Sequence, residues 1–490
     1  MAHKTLIGGT AYNIIGGRSM VNGTGYSIAS GRTLINGTGY NINFDPGVAA
    51  MLYNTGDFVF QRNTDVESGK TLVASYQGIE ANGFDYFNGQ PWASRRGNIK
   101  NIYCIEKLVP INMSSWFFNA HNVIKINYTN INMNYVQNMA NAYTNCYNLT
   151  SSPVCGDNVV NMLFTYSNCY NLTGAPVCGE QVTNMHYTYH YCRNLIGPPV
   201  CGENVKSMNR TYMACYNLTG SPVCGNKVVY MNRTYASCNK LTGSPVCGDN
   251  VTNMESTYDW CSNLTGSPVC GRNVINMDGT YRYCNKLTGS PVCGDNVVNM
   301  RNAYQSCYKL TGSPACGEKV LDMKYAYENC YNLTGAPVCG DNVVNMYNTY
   351  AYCYNLTGSP ICGNNVTDMS GTYAYCYNLT GVAIGGNNTK WMSNTYAHCQ
   401  NLSGNAYIYG TYVYDAEGCF LGKNNSKRLN IYIPNTTTTT QDTFLANNTY
   451  SIVGANITWT SAGTYHYNTA YNLYIYPVAN VAAARAANGD

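Results

Sequence analysis

An α/β repeat solenoid of 23-residue coils, preceded by β-hairpin repeats and closed by a β-rich C-terminal cap, is the architecture that this 490-residue sequence predicts. Three observations predict it. A triplet of Met, then Tyr four positions on, then Cys three after that, as in Met162, Tyr166 and Cys169, returns in register twelve times from Met139 to Met392. The first 42 residues carry a different repeat of 14 residues. Beyond Leu402 the long register stops and alternating apolar and polar residues replace it. A fixed period of this length lets each unit bury its apolar side chains only against the next, so the core extends along an axis and the outer faces are long repetitive surfaces.

Residues 1–43 read as three hairpins, with Lys4, Arg18 and Arg32 opening the copies. In Thr33 to Ile42 two short apolar runs flank Asn36-Gly37, a pair that favours the positive φ angles of a tight hairpin turn. Hairpins so short need a neighbour, a sister chain or a docking partner. Residues 44–112 lose the repeat, and Asp57–Phe60 and Lys70–Ala74 look like strands; a capping domain is expected here, because an array must hide its terminal coil. The solenoid is placed at 113–404. Its first coil is degenerate, with Met113, Phe117, Ala120 and Val123 standing where Met, Tyr, Cys and Leu later stand.

In a regular coil, Met162 to Asn184, the spacing of Met162, Tyr166, Cys169 and Leu172 predicts a short helix or helical turn with these four on one face. Ala175–Cys178 is expected to be a strand and Val182–Met185 a second extended segment. The expected core is Met162, Tyr166, Cys169, Leu172, Val177 and Val182 and their equivalents. A proline inside the first strand of ten coils gives up a ladder hydrogen bond each time, which periodicity alone does not explain. Residues 405–490 read as a β-rich cap with strands at Leu429–Pro434, Ile457–Thr460 and Leu473–Tyr476, a loop at Thr436–Thr440 and a frayed end from Ala482.

Only 11% of residues are charged, so polarity rests on Asn, Thr, Ser and 47 Tyr, and a net charge of +4 without a basic run offers no footprint for nucleic acid. The start lacks the apolar stretch of a secretory signal, and no apolar run of membrane-spanning length follows, so neither general export nor membrane insertion is expected. For the 24 cysteines a reducing compartment is then the natural setting. The ladder from Cys146 to Cys399 falls on the helical face and reads as core. A second ladder, Cys155 to Cys362, would lie outside if Val177 and its equivalents face inward, open to oxidation. No C-x-x-C pair exists, and His186 and His190, four apart, lack a third ligand and read as exposed, so no metal and no cofactor is expected.

The frame V-x-N-M-x-x-x-Y-x-x-C-x-N-L, as in Val343 to Met346, Tyr350, Cys353 and Leu356, resembles the BspA-like leucine-rich repeat, with Tyr in place of the usual Phe. The resemblance covers about residues 113–404 and implies a leucine-rich-repeat-like solenoid. The glycine-rich hairpins resemble amino-terminal pieces of structural proteins in phages of Gram-positive gut bacteria. Together they imply a non-enzymatic virion protein, a tail or baseplate fibre that displays the solenoid for host binding. It would meet other virion proteins through its hairpins and a polysaccharide or protein of the host surface, as a homo-oligomer. A head fibre or capsid decoration protein, a bacterial surface adhesin of the same repeat family and, less favoured, a tail-spike depolymerase are the alternatives.

The position just before the first Cys of each coil drifts while Met, Tyr, Cys and Leu hardly change, and it includes Tyr191, Trp260, Tyr283, Tyr352, Tyr375 and His398. A drifting position lies outside the core, so this is the candidate binding stripe, its flat rings suited to sugars or protein loops; drift on an idle surface is the plainer alternative. A glycosidase needs paired carboxylates. Asp157, Glu180, Glu203, Asp249, Asp295, Glu318 and Asp341 instead recur singly at one loop position, as turn caps, and no catalytic residue is assigned.

Overall fold

The computed structural model describes residues 3–7, 10–15, 18–21, 24–27, 31–35, 38–42, 49–61, 64–76, 89–105, 107–411, 413–435 and 460–490. They fall into two compact units, residues 1–193 and 194–490.

In the first unit, β1 (His3–Ile7), β2 (Thr10–Ile15), β3 (Arg18–Val21) and β4 (Thr24–Ser27) form an antiparallel four-stranded sheet, and β5 (Gly31–Ile35) pairs with β6 (Thr38–Ile42). The pairing is that of the expected hairpins, and their turns at 22–23 and 36–37 lie outside the described residues. A second sheet has the order β11-β10-β8-β7-β9, from β7 (Ala49–Tyr53), β8 (Asp57–Gln61), β9 (Leu72–Tyr76), β10 (Asn101–Cys104) and β11 (Lys125–Ile126). Because β10 pairs in parallel with both β8 and β11, this sheet runs directly into the first coil. An aromatic cluster covers that coil: Phe58 and Phe60 pack on Trp92, whose indole donates to the Trp116 carbonyl at 2.9 Å. Phe117 stacks on Tyr143 at 6.0 Å, taking the place a coil tyrosine would fill.

The predicted helix does not form. From Met162 to Cys169 the chain runs through successive three-residue turns, with Phe164 and Asn168 left-handed at φ 54° and 62°. The backbone donors divide their work. Met162, Phe164, Tyr166 and Asn168 give their N–H groups to carbonyls of the next coil, while Thr165, Ser167 and Cys169 give theirs back to Met162, Phe164 and Tyr166. Half the donors therefore cross between coils, which an α-helix would forbid, since it spends every donor on itself. Asn161 opens the segment by accepting the Leu163 N–H at 3.0 Å, a local turn that favours the non-helical path. The 4-3-3 spacing thus reflects a ladder of turns.

The second unit repeats this scheme from Met208 onward. Met254, Tyr258, Cys261, Leu264 and Val274 are fully buried, as are Met162, Tyr166, Cys169, Leu172 and Val182 in the first unit. Val177 departs from the expected core: it is half-buried, and Pro176 takes the inward position. The strand expected at Ala175–Cys178 is absent for the same reason in both units. A proline leaves the stretch short of a donor, and the buried tyrosine replaces the ladder. Val246 N–H donates to Tyr258 Oη at 3.0 Å and the same hydroxyl donates to the Val246 carbonyl at 2.6 Å. The arrangement recurs at Tyr235 with Val223, Tyr281 with Val269 and Tyr304 with Val292. One phenol satisfies both main-chain groups of a residue twelve positions earlier. Where the proline is missing, at Val382-Ala383-Ile384, a strand does form.

Side chains tie coil to coil as well. Thr257 Oγ1 donates to the Met231 carbonyl at 2.8 Å, Cys261 Sγ to the Tyr235 carbonyl at 3.1 Å, and Asn250 and Asn263 amides to Asn226 and Asn239 carbonyls at 2.8 and 2.6 Å. The asparagine-rich composition is therefore structural. At Asp249 the expected turn cap is not seen: the carboxylate is exposed and pairs with Arg272 at 3.1 Å, and the next residue, Asn250, makes the link. Gly271 follows the second cysteine because a Cβ there would stand 2.7 Å from the Gly248 carbonyl and 2.9 Å from Cys247 Sγ.

The second cysteine ladder is not on an outer face. Cys155 Sγ lies 3.7 Å from the sulfur of buried Met162, and Cys270 Sγ 3.6 Å from that of Met277. Burial pushes the Cys155 thiol up to about 12 and Cys270 to about 11. All described cysteines are free thiols.

The array ends in a six-stranded sheet of order β12-β13-β14-β17-β16-β15: β12 (Ala383–Gly385), β13 (Gly404–Ile408), β14 (Leu429–Pro434), β15 (Thr460–Ser461), β16 (His466–Asn468) and β17 (Leu473–Val478). β12 to β14 and β17 are parallel, and β15 and β16 turn antiparallel. Most of the strand expected at Ile457–Thr460, and the loop Thr436–Thr440, lie outside the described residues. The end expected to fray is instead helix α1 (Val481–Ala487), capped by Asn480 Oδ1 on the Ala483 N–H at 2.9 Å. Asp490 is held by Tyr407 Oη at 2.7 Å and Asn405 Nδ2 at 2.6 Å.

Two outcomes are expected. Tyr258→Phe strands both main-chain groups of Val246 and should lower stability by about 1–3 kcal/mol in denaturant unfolding, while Tyr331→Phe, on the surface, should change little. Iodoacetamide at mildly alkaline pH should leave both cysteine ladders unlabelled in the native chain and label them after denaturation, read by intact mass, because a protonated, packed thiol is a poor nucleophile.

Candidate functional site

Each coil carries two left-handed columns, two and six residues after Met. The second is the drifting stripe: Tyr191, Trp260, Tyr283, Tyr352, Tyr375 and His398 have φ between 59° and 65°. This conformation costs an ordinary L-residue roughly 1–2 kcal/mol, and only Gly, Asn and Asp visit it routinely. Asn145, Asn168 and Asn329 fill the column in the expected way, whereas Trp and Tyr occupy it against local preference.

The stripe is not uniformly exposed. Trp260 is 48% exposed, Ala214 and Ser306 are buried, and the tyrosines and His398 are half-buried, most of them in stacks. Trp260 lies on Tyr283 at 4.1 Å, Tyr352 on Tyr375 at 4.7 Å, and Tyr375 on His398 at 4.3 Å. Inside a stack the ring faces are spent on one another, so flat faces are offered only at stack ends, and edges and hydroxyls elsewhere. Beside the Trp260 pair, Arg282 forms a two-point ion pair with Asp259 at 2.9 and 2.6 Å.

In the first unit Tyr191 stands edge-on to His190 at 4.4 Å, with the Arg193 guanidinium 5.7 Å from its ring. His186 and His190, expected to be exposed, are half-buried among Phe164 and Tyr187, and burial pushes His190 down to about 4. No cluster of three metal-ligating side chains is found among the described residues.

In the second unit the stack Tyr352, Tyr375, His398 is one wall of an open groove of about 540 Å³. Buried Ala351, Ala374 and Ala397 make its floor. Asn348, Gly371 and Asn394, the first left-handed column, line the other side with Tyr347, Ser370 and Ser393, and Glu328 and Leu421 complete it. The floor runs low over three successive coils here, whereas the same column carries Asp259, Arg282, Gln305 and Glu328 in the four preceding coils and a single alanine, Ala236, before them. The run of three alanines is the signal that a column-by-column reading of the sequence could have used. Burial holds the Glu328 carboxyl above its ordinary value, opposed by the Gln305 amide, which donates to it at 2.6 Å. The arrangement offers stacking surfaces and uncharged hydrogen-bonding groups; a pair of facing carboxylates is not among the groove residues.

A carboxyl whose folded value is raised resists ionisation, so its stabilising share is present at low pH and lost as pH rises through the raised value. Glu328→Gln should therefore be more stable than the parent at pH 7, by thermal melting, and the difference should vanish near pH 4.

No protein-family model matches the chain, and no curated protein does. Among solved structures, it is similar to a leucine rich cell surface protein from Faecalibacterium prausnitzii, at 13% identity over 75% of this chain and 94% of that one, with a TM-score of 0.29. It is also similar to the functional domain of InlJ from Listeria monocytogenes, which includes a cysteine ladder, at 13% identity over 68% of this chain and 80% of that one, with a TM-score of 0.15. Among the described residues no helix is long and apolar enough to cross a membrane.

Proposed function

We propose that the chain is a non-enzymatic adhesive fibre protein of a phage particle, in which the repeat array holds a column of aromatic side chains toward the host surface. The observation that carries the binding part is the placement of Trp260 and Tyr283. Two large rings stack in left-handed positions that local energetics reserve for Asn or Gly, with Ser237 and Ser306 on either side in the column. Selection for folding alone would place small residues there. The virion part is supported by the 14-residue hairpin repeats, whose strands pair as a sheet that further strands or sister chains can extend. Polysaccharide or protein at the cell surface is the partner class, because exposed Trp and Tyr supply apolar area with polar edges.

Trp260→Asn tests this without unfolding the coil, since asparagine stands at the same place in three other coils. The variant should keep its stability within about 0.5 kcal/mol while binding of labelled chain to host cells falls about tenfold, the loss of roughly 1.4 kcal/mol. Unchanged binding would remove the stripe from the proposal, and absence of the chain from purified particles by mass spectrometry would remove the virion.

A further inference from the structure

We infer that the groove walled by Tyr352, Tyr375 and His398 binds a neutral, linear polysaccharide laid along the coil axis, about one sugar per coil. The inference rests on the adhesive reading above and names the ligand class of one part of the stripe. Four features lead to it.

The first is unused hydrogen-bonding capacity. Asn348, Tyr352, Ser370, Tyr375 and Asn394 all line the groove, and among the described residues their side-chain polar groups make no hydrogen bond. By contrast, the side chains of Thr257, Asn263 and Asn355 are spent on carbonyls of the neighbouring coil. Amides and hydroxyls that donate and accept at once match the hydroxyls of a sugar.

The second is charge. The lining holds no Lys or Arg, its one basic side chain, His398, is stacked on Tyr375, and the carboxylate of Glu328 would repel an anionic polymer. A neutral chain meets no such cost.

The third is the repeat distance. The wall presents the same kind of group once per coil, with ring centroids 4.7 and 4.3 Å apart. A pyranose chain advances about 5 Å per sugar, near the 4.8 Å spacing of stacked strands, whereas an extended peptide advances about 3.3 Å per residue and returns a side chain to the same face only every second residue. A glycan whose linkage advances one sugar per coil keeps register with the wall, and a peptide drifts out of it.

The fourth is access. Alanine at three successive floor positions opens a channel across the coils that bulkier side chains close in the preceding four. Ring edges with phenolic hydroxyls, rather than ring faces, meet the ligand along the channel. At the Glu328 end the stack terminates at Tyr352, on whose outer side no further aromatic ring is stacked among the described residues.

Full-length chain is titrated by calorimetry with neutral hexose oligosaccharides of two to eight sugars in β-1,3, β-1,4, α-1,4 and α-1,6 linkage, with oligogalacturonate as the anionic comparator. One linkage class should bind, with affinity rising to about four sugars and then levelling, and oligogalacturonate should not. Ala374→Gln fills the floor with a residue the array already carries in that column at Gln305. It should abolish binding with the melting temperature preserved, and Tyr375→Ser, which copies Ser306 of the same column, should weaken it at least tenfold. Binding unaffected by Ala374→Gln, equal binding of oligogalacturonate, or no binding of any neutral series would each overturn the inference. Retained attachment of the chain to host cells in that last case would leave the adhesive reading standing.

Discussion

The phenol of the repeated tyrosine is the interaction on which the rest of the structure depends. A coil that contains proline has a stretch of main chain unable to join a sheet, and burying that stretch unpaired would cost more than its apolar side chains return. Tyr258 and its equivalents reach across the interior and satisfy the stranded N–H and carbonyl together. This frees the coil from needing a strand on that side. It can then be closed by turns, and turns in succession are what place two side-chain columns in the left-handed region. The columns form the groove and the aromatic stacks.

The periodicity makes the array, its 23-residue coil and most of its core legible, because burial of Met, Tyr, Cys and Leu leaves a direct trace in residue type. The local backbone is not legible in the same way. A spacing of four, three and three fits a helical turn and a run of tight turns equally well, and the choice is made by hydrogen bonds to the next coil, a non-local term. Val177 escapes the expected core because the alternation of a strand has no meaning where no strand exists. The second cysteine ladder departs from expectation for the same reason, and its sulfurs lie against methionines of the interior.

At the candidate site the stripe is visible as a drifting position, but its consequences are not. Stacking between coils consumes the ring faces that a one-dimensional reading takes to be free. The groove depends on side chains from four coils acting together, and its floor is a run of alanines that carries no chemistry of its own. Such a feature emerges only when the coils are superposed.

The unbonded state of the cysteines has a consequence for where this molecule can exist. Its coils are held by carbonyls, amides and phenols, which do not respond to the electron balance of the surroundings, and by first-ladder thiols such as Cys261 that donate as thiols from a fully buried position. A chain that matured inside a reducing cell would meet an oxidising exterior without any covalent rearrangement, its sulfur screened by its own packing.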